Sequence, residues 1–148
     1  MGEIASLRWK QLLETDGSVK AVFYLEAEVT KSNEARAVHL NSRLIEALRE
    51  FGSTRNRHEL HGPVVASQKG SAFSANSLCQ LFGRIYADAG ITGASSHSGR
   101  RWFITQLAHS GVSPKVIMEL AGHKHLGTTQ RYIEVNEQMK QQAVSLLA

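Results

Sequence analysis

His97 and Arg100 stand three residues apart in the run His97-Ser98-Gly99-Arg100, where a helical pattern begins. At a helix start that spacing puts both side chains on one face, beside free backbone N–H groups that add positive potential. Gly122-His123 closes a later helical pattern, and Tyr132 follows that histidine by nine residues in the run Thr128-Thr129-Gln130-Arg131-Tyr132. Lys31 opens the polar turn Lys31-Ser32-Asn33-Glu34, from which a flexible amine reaches outward. These residue types suit a phosphodiester. An anionic phosphate is held by a planar, permanently charged guanidinium and further N–H donors. A phosphorane-like transition state carries extra charge on its equatorial oxygens, so preorganised donors stabilise it beyond the ground state. A phenol is a weak nucleophile until neighbouring cations favour its deprotonation. The departing alkoxide needs a proton, which a lysine or a histidine can supply.

Each residue also has a plainer reading. His97 and Arg100 could be a helix-start hydrogen bond and a solvated charge, and Tyr132 a packed aromatic with a satisfied hydroxyl. His123 could be a C-terminal cap favoured by the helix dipole, and Lys31 a solvated turn lysine. A zinc site on His97, His109, His123 and His125 has no carboxylate or second cysteine at ligand spacing, so neither a metal nor a cofactor is expected. The weight lies in the joint order and intervals of the set.

The elements that must position these residues follow from the patterning. Gly2 to Leu7 has helix-compatible spacing, and Thr15-Asp16-Gly17-Ser18 is a turn. Val19 to Val29 is rich in β-branched and aromatic residues, and Arg36 to Leu40 continues after the Lys31 turn, which predicts a three-stranded antiparallel meander. From Asn41 the period returns to 3.6, with Leu44, Ile45, Leu48 and Phe51 on one face and Gly52 as the stop. Residues 53–74 are irregular. Ser77 to Ala89 is amphipathic through Leu78, Leu81, Phe82 and Ile85, with Gly90 ending it. The second half reads as helices over His97 to His109, from Ser113-Pro114 to Gly122, over Thr128 to Val135 and over Asn136 to Ala148. The last carries Met139, Val144 and Leu147 as an apolar stripe. The fold class is α+β: a mostly helical domain with a small three-stranded antiparallel sheet near its N-terminus.

Composition bounds the rest. At 148 residues the chain is one domain by length, with 42% hydrophobic and 20% charged residues, which excludes a disordered tail or a collagen-like fibre. No apolar run approaches the roughly 18 residues of a spanning helix. The single cysteine, Cys79, forms no internal disulfide, so a cytoplasmic location and no membrane partner are expected. The formal charge of +4 permits nucleic-acid binding without arguing for it. Its distribution says more: residues 1–74 hold ten Lys/Arg and nine Asp/Glu, residues 75–148 seven and four.

Taken in order, these segments resemble the catalytic domain of the tyrosine recombinases, the family of lambda-type phage integrases. That family carries His-x-x-Arg, a helix of the type "GVSPKVIMELAGH" and a Thr-Thr-x-x-Tyr ending, which here are His97 to Arg100, Gly111 to His123 and Thr128 to Tyr132. The stretch "TKSNEARAVHL" resembles the family's β-hairpin, whose lysine maps onto Lys31, and "GEIASLRW" resembles the end of its first motif.

The resemblance implies roles. Tyr132 would attack the scissile phosphorus and become joined to the DNA 3′-phosphate. Lys31 would protonate the leaving 5′-oxygen as general acid. Arg100, His97 and His123 would hold the phosphoryl group, and Glu3 would support the site. The implied partner is double-stranded DNA, on which family members act as tetramers, this chain alone being a monomer or weak oligomer of bacterial, phage or mobile-element origin. The family's first motif also has an arginine three residues before the acidic position, which falls ahead of Met1. Arg8 is no substitute: five residues after Glu3 on a helix it points roughly 140° away. The expected domain is therefore a recombinase catalytic domain over residues 1–148, truncated at its start, with the N-terminal core-binding domain absent. The expected function is site-specific DNA recombination through a 3′-phosphotyrosine, impaired in this chain. The alternative is a non-catalytic DNA-binding remnant of an integrase.

Overall fold

The computed structural model describes residues 1–30 and 33–147. The chain forms two compact units, residues 1–96 and residues 97–148.

In the first unit, α1 (Gly2–Ser6) and α2 (Trp9–Leu12) are separated by extended backbone at Leu7 and Arg8. Arg8 thus stands outside α1 as the N-cap of α2, its backbone N–H donating to Gln11 Oε1 at 2.9 Å. The sheet pairs β1 (Val22–Leu25) with β2 (Arg36–His39) in antiparallel register, Phe23 opposite Val38 and Leu25 opposite Arg36. Alternation decides its faces: Phe23 and Leu25 are buried, whereas Tyr24 between them is 69% exposed.

Among the described residues the sheet has these two strands, not the expected three. The third is replaced by α2 and one antiparallel bridge, Leu13 to Val19, around the Asp16-Gly17 turn. The reason is the spacing of Trp9 and Leu12: three apart, they bury one helical face at 1% and 2% exposure, which a strand of period two could not do. The expected long second strand is also interrupted, by a 3-10 turn at Ala27–Val29.

Trp9, Leu12, Phe23, Leu25 and Val64 form the core of this unit, with Leu48 of α3 (Ser42–Ser53) packed against it. Each such burial is worth about 1.5–3 kcal/mol. The irregular stretch over 53–74 therefore supplies Val64 to the core instead of lying wholly in solvent. Asn41 caps α3 through its side chain, and Ser74 caps α4 (Ala75–Asp88), whose Leu78 is fully buried.

The second unit is helical: α5 (Ser98–His109), α6 (Pro114–Ala121), α7 (Leu126–Gln130) and α8 (Glu137–Ser145). Ile104, Ala108, Ile117 and Ala121 form its core, joining the inward faces of α5 and α6. The Ser113 hydroxyl accepts from the Val116 N–H, with Pro114 at the first helical position, as the Ser-Pro pair predicts. The short helix expected over Thr128 to Val135 lies earlier, over Leu126–Gln130, so Tyr132 follows it instead of riding on it. No residue of α8 is buried, and Val144 and Leu147 are 64% and 86% exposed.

Candidate functional site

The second unit brings Arg100, His123 and Tyr132 together through the ends of α5, α6 and α7. Helix α6 terminates at Gly122, which takes the left-handed conformation at φ 65°. The His123 N–H then donates to the Met118 carbonyl at 3.0 Å, a bond spanning five residues that closes the helix end. Gly122 therefore fixes the direction in which His123 leaves the helix.

Arg100 lies in the first turn of α5, and its Nη2 donates to the Ala121 carbonyl. That carbonyl belongs to the last turn of α6, where helix geometry leaves acceptors unsatisfied and negative potential accumulates. The bond ties Arg100 to the helix end that carries His123. The side chain is otherwise exposed, and a guanidinium has five N–H donors, so further donors remain for an anion.

His123 Nδ1 lies 2.8 Å from the hydroxyl of Thr129, a residue with no solvent exposure. Its ring stacks on Tyr132, with centroids 6.2 Å apart and planes 26° from parallel. Burial first, and the Arg100 guanidinium second, hold the imidazole below its ordinary pKa of 6.5. The Arg100 charge is thus felt at the His123 ring. The Tyr132 N–H donates to the Thr129 carbonyl at 3.0 Å, and the ring packs against the core of this unit. Bonds to the residue three back, here and from Ile133 to Gln130, tighten the end of α7 and turn the chain away.

The other expected residues are placed separately. His97 is the exposed N-cap of α5, one turn before Arg100, its carbonyl accepting from the Arg101 N–H at 3.0 Å. Glu3 sits in the first unit, where Oε2 accepts from Arg36 Nη2 at 2.7 Å, joining α1 to β2. Lys31 lies outside the described residues. Two residues of consequence were not among the expected ones. Thr129 stood in the motif without a role. Its signal was a hydroxyl three residues before the tyrosine, on the inward side of a short helix. Arg36 had no signal, because its partner is 33 residues away. Among the described residues no group of three His, Cys, Asp or Glu side chains could hold a metal ion. No helix among them is long and apolar enough to cross a membrane.

Comparison with known proteins bears on what this arrangement is. The family model described as phage integrase family matches residues 1–139. Tyrosine recombinase XerC of Pelobacter propionicus is 28% identical over 107 residues, covering 72% of this chain and 35% of the relative. Tyrosine recombinase XerD of Rhizobium meliloti is 32% identical over 114 residues, covering 73% and 36%. The chain thus spans about a third of the length of these relatives. Of solved structures, the Tn1549 transposon integrase in complex with circular intermediate DNA superposes with a TM-score of 0.76 at 18% identity, covering 100% of this chain and 55% of that one. XerH site-specific recombinase, in a post-cleavage complex with difH substrate, gives a TM-score of 0.68 at 25% identity, covering 99% and 41%. With the family match running from α1 into α8, and with the Arg, His and Tyr of its motifs converging in one unit, the chain belongs to the phage integrase family, the tyrosine recombinases.

Proposed function

We propose that residues 1–148 are the catalytic domain of a site-specific recombinase that cleaves and rejoins double-stranded DNA through a covalent tyrosine intermediate. The observation that carries this reading is the convergence of Arg100, His123 and Tyr132 at three helix ends in a chain of this family. In the proposed step, Tyr132 Oη attacks the scissile phosphorus and loses its proton to a base in the site or to water. A P–O bond to tyrosine forms, the bond to the 5′-oxygen breaks, and Lys31 delivers the proton that makes the leaving group a 5′-hydroxyl. Arg100, His97 and His123 donate to the non-bridging oxygens, where charge grows in the transition state. Glu3 supports the site at one remove, by holding β2 through Arg36.

The family motif uses two arginines, and these 148 residues carry the second, Arg100. Tested by itself, this polypeptide is therefore expected to form the adduct slowly, since one such donor is worth about 10²–10³ in rate. It is expected to sediment as a monomer in the absence of DNA. The test is a suicide DNA duplex that traps the 3′-phosphotyrosyl adduct. The wild-type chain should accumulate a covalent species that Tyr132→Phe abolishes while DNA retention persists. Equal DNA retention by both proteins, with no adduct from either over long incubation, would favour the non-catalytic DNA-binding reading.

A further inference from the structure

Thr129 is fully buried, and among the described residues its hydroxyl has one hydrogen-bond partner, His123 Nδ1 at 2.8 Å. A hydroxyl is both donor and acceptor, and an imidazole nitrogen is one or the other according to its tautomer. Two arrangements are open. If Nδ1–H donated to the hydroxyl, the hydroxyl's own proton would be buried without an acceptor, at a desolvation cost of about 1–3 kcal/mol. If the hydroxyl donates to Nδ1, every buried proton is used. The second arrangement requires Nδ1 to be unprotonated. Burial and the facing guanidinium of Arg100 favour the same neutral ring. The remaining ring proton then sits on Nε2.

We infer that Thr129 is a positioning residue that fixes His123 as the Nε2–H tautomer, so that His123 presents an N–H donor to a phosphoryl oxygen. This rests on the recombinase reading for its purpose, though not for its geometry. The same residue holds the nucleophile's backbone, because the Thr129 carbonyl accepts the Tyr132 N–H at 3.0 Å. One buried threonine therefore sets the proton of one site residue and the chain position of the next. Among the described residues, the titratable groups facing the imidazole include Arg100 from α5 and Tyr132, stacked on the ring after α7.

The experiment uses ¹⁵N-histidine-labelled chain and reads the His123 tautomer by long-range proton–nitrogen correlation near neutral pH, in wild type, Thr129→Val and Thr129→Ser. Valine keeps the shape and removes the hydroxyl; serine restores it. Wild type and Thr129→Ser should show the Nε2–H form, and Thr129→Val a mixture with Nδ1–H. A wild-type Nδ1–H form, or a Thr129→Val spectrum matching wild type, overturns the inference. Melting curves check that Thr129→Val folds; if it does not, the wild-type and Thr129→Ser spectra decide alone. In the adduct assay Thr129→Val should be slower by about tenfold or more, as for loss of a partner that fixes a functional histidine's tautomer, with Thr129→Ser close to wild type. A correct tautomer pattern with no adduct from any variant would sink the recombinase reading and leave the tautomer assignment standing.

Discussion

At the scale of the residue, His123 makes folding sensitive to acid. Its folded pKa lies below the ordinary 6.5, through burial and then through Arg100. The unfolded chain therefore binds a proton that the folded chain resists, and stability falls as pH drops through 6.5 toward the folded value. Above that window the contribution is flat. Melting temperatures at about pH 7.5 and about pH 5 should differ more for wild type than for His123→Gln, which has no proton to gain. A variant that lost as much on acidification as wild type would remove His123 as the source. His123 also shows where residue-level reading stops. Its identity and its interval to Tyr132 stood in the sequence, but its stacking on Tyr132 and its bond to Thr129 depend on how α7 turns away after Gln130.

At the scale of the element, two features hold the site residues in place. Gly122 at φ 65° ends α6 and sets the exit of His123. Gly122→Ala puts a Cβ into the left-handed region, at a cost of roughly 1–2 kcal/mol, which urea unfolding would read directly. The same substitution should slow adduct formation by re-aiming the histidine. The Glu3–Arg36 ion pair joins α1 to β2, with side-chain exposures of 30% and 21%. Glu3→Gln should lower stability by about 1 kcal/mol at most, since a pair still reached by solvent is worth little. Its larger consequence under the proposed mechanism is on β2, which Glu3 holds through Arg36. If Glu3→Gln matched wild type in both stability and adduct rate, Glu3 would have no supporting role. Helices were legible as elements because their caps and stops are local: the side chains of Asn41, Ser74, Ser113 and Asn136 each accept a backbone N–H of the helix they cap. The third strand was misread because apolar content cannot separate a strand from one turn of helix. Only the burial of Trp9 and Leu12 on a common face did so.

At the scale of the whole molecule, charge and exposed apolar surface bear on partners. The second half carries seven basic and four acidic residues, and the exposed Arg100 is among the basic ones. Under the proposed function, DNA affinity should fall with salt as counterions are released, and Arg100→Ala should reduce the slope of log K against log salt by about one. An unchanged slope would place Arg100 away from phosphate. The stripe expected on α8 is largely bare, with Val144 and Leu147 exposed. No residue of α8 is buried in the isolated chain.

Residue order alone determined the family, the helical character of the second half and the identities of Arg100, His123 and Tyr132. All of these are carried by short intervals and local caps, which need no knowledge of distant contacts. Tertiary structure decided what those residues touch: Arg100 on the end of α6, His123 between Thr129 and Tyr132, Glu3 on Arg36. It also decided that the sheet has two strands among the described residues and that the irregular stretch gives Val64 to the core. The physical reason is common to these cases. Hydrogen bonding and burial between elements depend on where helix ends meet in space, and no spacing along the chain encodes that meeting.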